Sequence, residues 1–178
     1  MTPEQALWKA PMGLGEFSAQ GSVRQLVPDE SARRVIAKLY GLVSLDRLEA
    51  EVKLLRWHDG GQIDGRWSGS VTQNCGVTLE DYSTELKGEF RVRVVPVGSL
   101  HAPDPNVVEI AFDPEADDPP DVLEDNIVDL AHYVLEELSL SIDPFPRKPG
   151  VEFVAPEPEV ELSPFAVLRK LKPGATES

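Results

Sequence analysis

Cysteine is nearly missing from this chain. Cys75 stands alone among 178 residues, so no disulfide can form within it. Histidine is almost as scarce: His58, His101 and His132 are scattered, with no C-x-x-C or H-x-x-x-H spacing. A structural zinc site usually takes four such ligands, so no metal is expected. Long apolar runs are also lacking, and no stretch approaches the roughly 20 residues of a membrane span. Met1 to Lys9 has no basic head and no apolar run, so no secretory signal is expected. These absences point to a cytoplasmic protein.

Positive charge is in short supply. There are 17 Lys and Arg against 31 Asp and Glu, a formal net charge of −14. Affinity for a phosphate backbone comes mainly from Lys and Arg, so unaided non-specific nucleic-acid binding is excluded. A basic partner, or a small basic patch on an acidic body, stays open. Catalytic motifs are missing as well: no nucleophile elbow, Walker loop, G-x-G-x-x-G or H-E-x-x-H occurs. Cys75, in Gln73-Asn74-Cys75-Gly76-Val77-Thr78, has no His near it in sequence to act as base. A structural cysteine at a strand end is expected, in a protein that is not an enzyme and holds no cofactor.

What is present supports a folded core. Hydrophobic residues make up 41% of the chain, which is long enough for one domain with a tail. Residues 1–28 read as a loop plus one strand around Leu14 and Phe17. Asp29 then suits an N-cap, and Ala32, Val35, Ile36, Leu39 and Tyr40 fall on one helix face before Gly41. The opposite face, with Arg33, Arg34 and Lys38, reads as solvated or as a phosphate-facing patch. Leu48, Ala50, Val52 and Leu54 alternate at strand spacing. Asp59-Gly60-Gly61 suits a hairpin turn. Ile63, Gly65, Trp67, Gly69, Val71, Gln73 and Cys75 share one parity of a long second strand, with Gly65 and Gly69 at a bulge or a close approach. Phe90, Val92 and Val94 form a third, ended by Pro96.

Residues 98–126 differ in kind. They hold nine acids, five prolines and no Lys or Arg, which leaves only −5 on the rest of the chain. A long acidic, partly mobile loop is expected, with strand content only at Val107, Val108, Ile110 and Phe112. Ile127, Leu130, Ala131, Val134, Leu135 and Leu138 then mark a helix capped by Asp129 or Asn126, with His132 and Tyr133 off its apolar stripe. Asp143-Pro144-Phe145-Pro146-Arg147-Lys148-Pro149-Gly150 follows as a stiff turn that presents a basic pair.

Residues 156–162 read as a linker. Ser163 and Pro164 then start a short motif with Phe165, Leu168 and Leu171 at i, i+3, i+6 and Arg169, Lys170 and Lys172 in its last turn. So short a helix docks on its own domain or folds on a partner. The expected fold class is therefore α+β: an antiparallel meander, or partly closed sheet, covered by two main helices. A single domain spans 1–155, and 156–178 form the linker and a flexible basic tail.

Four segments in register resemble a known family: Thr72-Gln73-Asn74-Cys75-Gly76-Val77-Thr78-Leu79-Glu80, Ile127-Val128-Asp129-Leu130, the 143–150 turn, and Ser163-Pro164-Phe165-Ala166-Val167-Leu168. In order and spacing they are similar to the bacterial YceD family of large ribosomal RNA subunit accumulation proteins, in the version common in alphaproteobacteria. The resemblance covers residues 14–172. It implies a cytoplasmic, non-catalytic factor for 23S rRNA accumulation and large-subunit biogenesis. Many members carry a C-x-x-C pair at this strand end; here Cys75 matches the second and Thr72 stands in place of the first.

The expected partner is 23S rRNA or a pre-50S particle, contacted through Arg147, Lys148, Phe165, Leu168, Arg169, Lys170 and Lys172 by a monomer. Gln73, Cys75, Gly76, Thr78, Leu79, Glu80 and Asp129 are expected to be structural. The alternative is an acidic chaperone whose 98–126 segment screens a basic ribosomal protein. Enzymatic use of Cys75 would need a depressed thiol pKa and a nearby base.

Overall fold

The computed structural model describes residues 8–103 and 118–153. Its elements are β1 (Pro11–Gly13), a short 3-10 turn (Leu14–Glu16), β2 (Ser22–Leu26), α1 (Glu30–Leu39), β3 (Ser44–Trp57), β4 (Gly60–Asn74), β5 (Asp81–Pro96), β6 (Asp121–Leu123), β7 (Ile127–Asp129) and α2 (Leu130–Ser141). The main sheet runs β2-β3-β4-β5-β6, and β1 pairs with β7 in a second, two-stranded sheet. All pairings are antiparallel except β5 with β6. The α+β class, the meander and the two helices agree with the sequence reading.

Alternation explains the sheet. Leu48, Ala50, Val52 and Leu54 of β3 and Ile63, Trp67 and Val71 of β4 point inward and are buried. Glu49, Glu51, Asp64 and Arg66 point outward. Two apolar clusters form beneath this face. One joins Ile36, Leu45, Leu48, Trp67 and Val71 to Val134, Leu135 and Leu138 of α2. The other joins Met12, Phe17, Val52, Leu54, Ile63 and Val94 to Val128, Leu130 and Tyr133. α1 starts where expected: the Asp29 carboxylate accepts from the Ala32 N–H at 2.7 Å. Gly41 leaves it at φ +66°.

Glycines admit the large rings. Gly65 of β4 lies opposite Phe90 of β5, and Gly88 of β5 lies opposite Trp67. A Cβ on Gly65 would stand 2.2 Å from the Phe90 ring, and one on Gly88 would stand 2.6 Å from Trp67 Nε1. Each ring thus occupies the space above a residue without a side chain. The register shift falls in β3, between Leu45 and Arg47, not at Gly65 or Gly69.

Several expectations are corrected. The hairpin turn is His58-Asp59, because Trp57 pairs with Gly60; His58 takes the left-handed φ of +51°. Gly60 and Gly61 belong to β4, and Gly61 leaves room for Phe17, whose ring a Cβ there would meet at 2.4 Å. Leu14 and Phe17 lie in and after the 3-10 turn, with strands on both sides of it. β5 begins at Asp81, well before Phe90. Its first half, Asp81-Tyr82-Ser83-Thr84-Glu85, lacks apolar alternation, so only its pairing with β4 reveals it.

The acidic segment contains a strand at Asp121–Leu123, held by parallel pairing that its composition does not announce. The strand content expected at Val107, Val108, Ile110 and Phe112 lies outside the described residues. Ile127 is in β7, not α2, and is exposed. Tyr133 is buried, its hydroxyl donating to Asp121 at 2.8 Å. Leu39 is exposed, and Ala37 takes the buried place on α1.

Candidate functional site

The β4–β5 connection, residues 75–80, folds tightly because two main-chain bonds close it. Cys75 N donates to Glu80 O at 2.9 Å, and Leu79 N donates to Cys75 O at 2.8 Å. Closure forces Leu79 into the left-handed region, φ +60°. Its side chain is left 79% exposed.

The proline-rich turn after α2 docks on this loop. Gly76 N donates to Pro146 O at 2.8 Å, and the Gln73 amide donates to Asp143 O at 3.0 Å. Lys148 N donates to Cys75 Sγ at 3.4 Å, and Lys148 Nζ pairs with Glu80 at 2.8 Å. Phe145 N is tied to the Asp143 carboxylate at 2.8 Å. The turn is stiffened by its own prolines and pinned at four points, so residues about 70 apart in sequence form one latch. Gln73, Cys75, Gly76 and Glu80 all contribute to it. Thr78 contributes by donating its N–H to Sγ at 3.5 Å.

Cys75 is the hub. It is fully buried, and its sulfur receives N–H groups from two chain segments. Those donors favour the thiolate. The Lys148 N–H acts most strongly, then the Thr78 hydroxyl and N–H; together they outweigh burial and pull the thiol from 9.0 to about 6. The neighbouring charges respond to each other: Lys148 holds the Glu80 carboxyl below its usual range, and Glu80 raises Lys148. Burial, followed by Asp143 and the Cys75 sulfur, raises Tyr82, which lies under the turn.

The depressed thiol matches one requirement of the nucleophile idea. The groups on the sulfur, however, are main-chain N–H groups and a hydroxyl, and the atom is enclosed. Thr72, in place of the first cysteine, hydrogen-bonds Asp46 at 3.1 Å and Ser83 at 2.9 Å. It is thus turned toward the outer face and does not join Cys75. Among the described residues, no cluster of three or more His, Cys, Asp and Glu is placed to hold a metal.

A lowered acid pKa makes the latch pH-dependent. The thiolate is favoured in the folded state, so its contribution is full above about pH 9 and is lost as pH falls through about 6. The difference in thermal midpoint between wild type and Cys75→Ala should therefore widen from pH 6 to pH 9. A difference that stays constant would show that the folded protein does not hold this thiol below its ordinary pKa.

The other residues singled out from sequence separate cleanly. Arg147 is exposed on the turn, and no ion pair among the described residues holds its side chain. Lys148 is committed to Glu80. Asp129 lies elsewhere, capping α2 through Ala131 N at 3.2 Å and anchoring Ala10 N at 2.8 Å. Phe165, Leu168, Arg169, Lys170 and Lys172 lie outside the described residues. On α1, Arg33 donates to Pro28 O and Arg34 pairs with Glu30, which is a locally satisfied helix face. The sequence reading passed over Phe145, which is 80% exposed between two prolines. The flanking prolines were the available signal.

The fold and the latch define an α+β protein that presents a stiff, exposed surface turn at the end of its sheet. No helix among the described residues is long and apolar enough to cross a membrane. The family model for the large ribosomal RNA subunit accumulation protein YceD matches residues 63–172, more than half of the chain. The chain belongs to the YceD family. No curated protein and no solved structure matches it.

Proposed function

We propose that this protein is a non-catalytic, cytoplasmic factor that supports 23S rRNA accumulation during large-subunit biogenesis, by binding pre-50S rRNA or a ribosomal protein on the particle. Family membership gives the process. The observation that supports a binding role is the latched turn: Arg147 and Phe145 are exposed on a backbone already fixed by Cys75, Gly76 and Gln73. A cation and an aromatic held this way lose little entropy on contact with a phosphate or an apolar groove. Lys148 serves mainly to hold the turn. The tail residues Phe165, Leu168, Arg169, Lys170 and Lys172 act as the second contact.

Gradient sedimentation of lysates tests the reading. The protein should travel with 50S precursors, and its deletion should lower 23S rRNA. Phe145→Ala with Arg147→Glu should reduce co-sedimentation about tenfold or more while leaving the fold intact, as should loss of 163–172. Normal 23S rRNA on deletion, or no association with precursors, sinks the proposal. Binding lost only when the acids of 98–126 become Asn and Gln would instead favour the acidic chaperone for a basic ribosomal protein.

A further inference from the structure

Leu79 breaks a local rule. Among the described residues, three other than glycine take a positive φ: His58, Leu79 and Asn126. Asparagine adopts the left-handed region readily and histidine is enriched there, whereas a bulky leucine is an outlier. A glycine stands in the same loop, at Gly76, where no positive φ is needed. The chain thus places its glycine at an ordinary φ and a leucine at the strained one. Burial does not explain the choice. The Leu79 side chain is exposed and adds nothing to the core. Such an exception, held in place by the bonds that close the loop at Cys75, points to a use for the side chain outside the fold.

A second apolar side chain stands on the same latch. Phe145 is exposed between Pro144 and Pro146. Among the large apolar side chains of the described residues, only Leu100 is more exposed than Leu79 and Phe145. Leu79 precedes Glu80, which pairs with Lys148. Phe145 precedes Pro146, whose carbonyl accepts from Gly76 N. Each apolar side chain is therefore one residue from a bond that joins the two loops. The latch fixes the two positions relative to each other before any partner arrives, which lowers the entropy lost on contact.

We propose that Leu79 and Phe145 form a two-pronged apolar anchor that inserts into an apolar groove on a protein. The groove's rim is basic toward Asp81, Asp143 and Glu152 and acidic toward Arg147. The inference rests on the ribosomal reading above and names the class of its direct partner. A leucine has no flat face for a base to stack on and no group for a phosphate to bond, so RNA offers Leu79 no complement. The charges around the anchor agree. Lys148 and Glu80 neutralise each other, which leaves Arg147 against Asp81, Asp143 and Glu152, all exposed. Asp81 accepts from the Asn74 amide and Asp143 from Phe145 N, and these neutral donors cancel no charge. A surface with this excess of carboxylates repels a phosphate backbone and matches a largely basic protein rim. Apolar anchors within a charged border are the usual arrangement of protein–protein contacts.

Binding of the full chain to purified 50S precursors tests this. Leu79→Asn suits the left-handed backbone and removes the apolar prong. Its thermal midpoint should equal or exceed that of wild type, while its affinity for the particles should fall about tenfold. Leu79→Met keeps an apolar side chain and should bind within about threefold of wild type. A photoreactive benzoylphenylalanine placed at position 79 should, on irradiation with the particles, give an adduct that survives ribonuclease and is removed by protease. An adduct that ribonuclease removes, unchanged binding by Leu79→Asn, a lowered midpoint in that variant, or an equal loss of binding in Leu79→Met would overturn the inference and leave the ribosomal reading standing. Wild type that ignores the particles would overturn both.

Discussion

Trp67→Ala is expected to cost about 3–5 kcal/mol of folding stability, the range for deleting a buried large aromatic. Trp67 is 3% exposed and joins the cluster that α1 and α2 close over. Its ring also covers Gly88, so truncation leaves a cavity lined by a residue with no side chain to fill it. A loss of this size should lower the thermal midpoint by on the order of 10 °C or more. Trp67→Phe should behave differently. Among the described residues the buried indole Nε1 has no hydrogen-bond partner, so phenylalanine removes an unsatisfied donor and keeps most of the ring. Its effect should stay within about 1.5 kcal/mol. Equal losses in both variants would refute the packing argument.

Phe17→Ala is expected to be nearly as damaging, at about 3–5 kcal/mol. Phe17 is 1% exposed and is seated on Gly61. Its carbonyl accepts from the Arg56 guanidinium at 3.3 Å, and Arg56 N donates to Ser18 O at 3.0 Å. Losing the ring should loosen the segment from β1 to β2 while β3, β4 and β5 stay paired. Hydrogen exchange should therefore rise first in residues 10–26. Uniform exchange across the sheet would show that Phe17 is not a local anchor.

Where the chain follows a strong local rule, sequence alone was enough. Asp29 before an apolar period defined α1, and strict alternation from Leu48 to Leu54 and from Ile63 to Val71 defined β3 and most of β4. The parity of Gln73 and Cys75 was legible for the same reason. The early half of β5 was not. Ser83, Thr84, Glu85 and Lys87 carry no apolar signal, and pairing to β4 alone makes them a strand. β6 has the same cause. The turn at His58-Asp59 was misplaced because the two glycines look like turn residues, while the fold needs them as space beneath Phe17 and Val94. The latch was legible only as two separate motifs. Nothing in local spacing says that Pro146 and Lys148 return to Gly76 and Cys75.

That return has a kinetic meaning. Each strand of the β3–β4–β5 meander pairs with its sequence neighbour, so little chain must be gathered before each contact forms. The Cys75–Lys148 contact instead closes a loop of 73 residues, whose entropy must be overcome first. The meander is therefore expected to zip early, with the latch and the still longer β1–β7 closure following it. In the folded protein the latch is the contact that can open with the sheet intact. Under the proposed role, a partner would meet a protein whose meander is finished and whose latched turn sets after it.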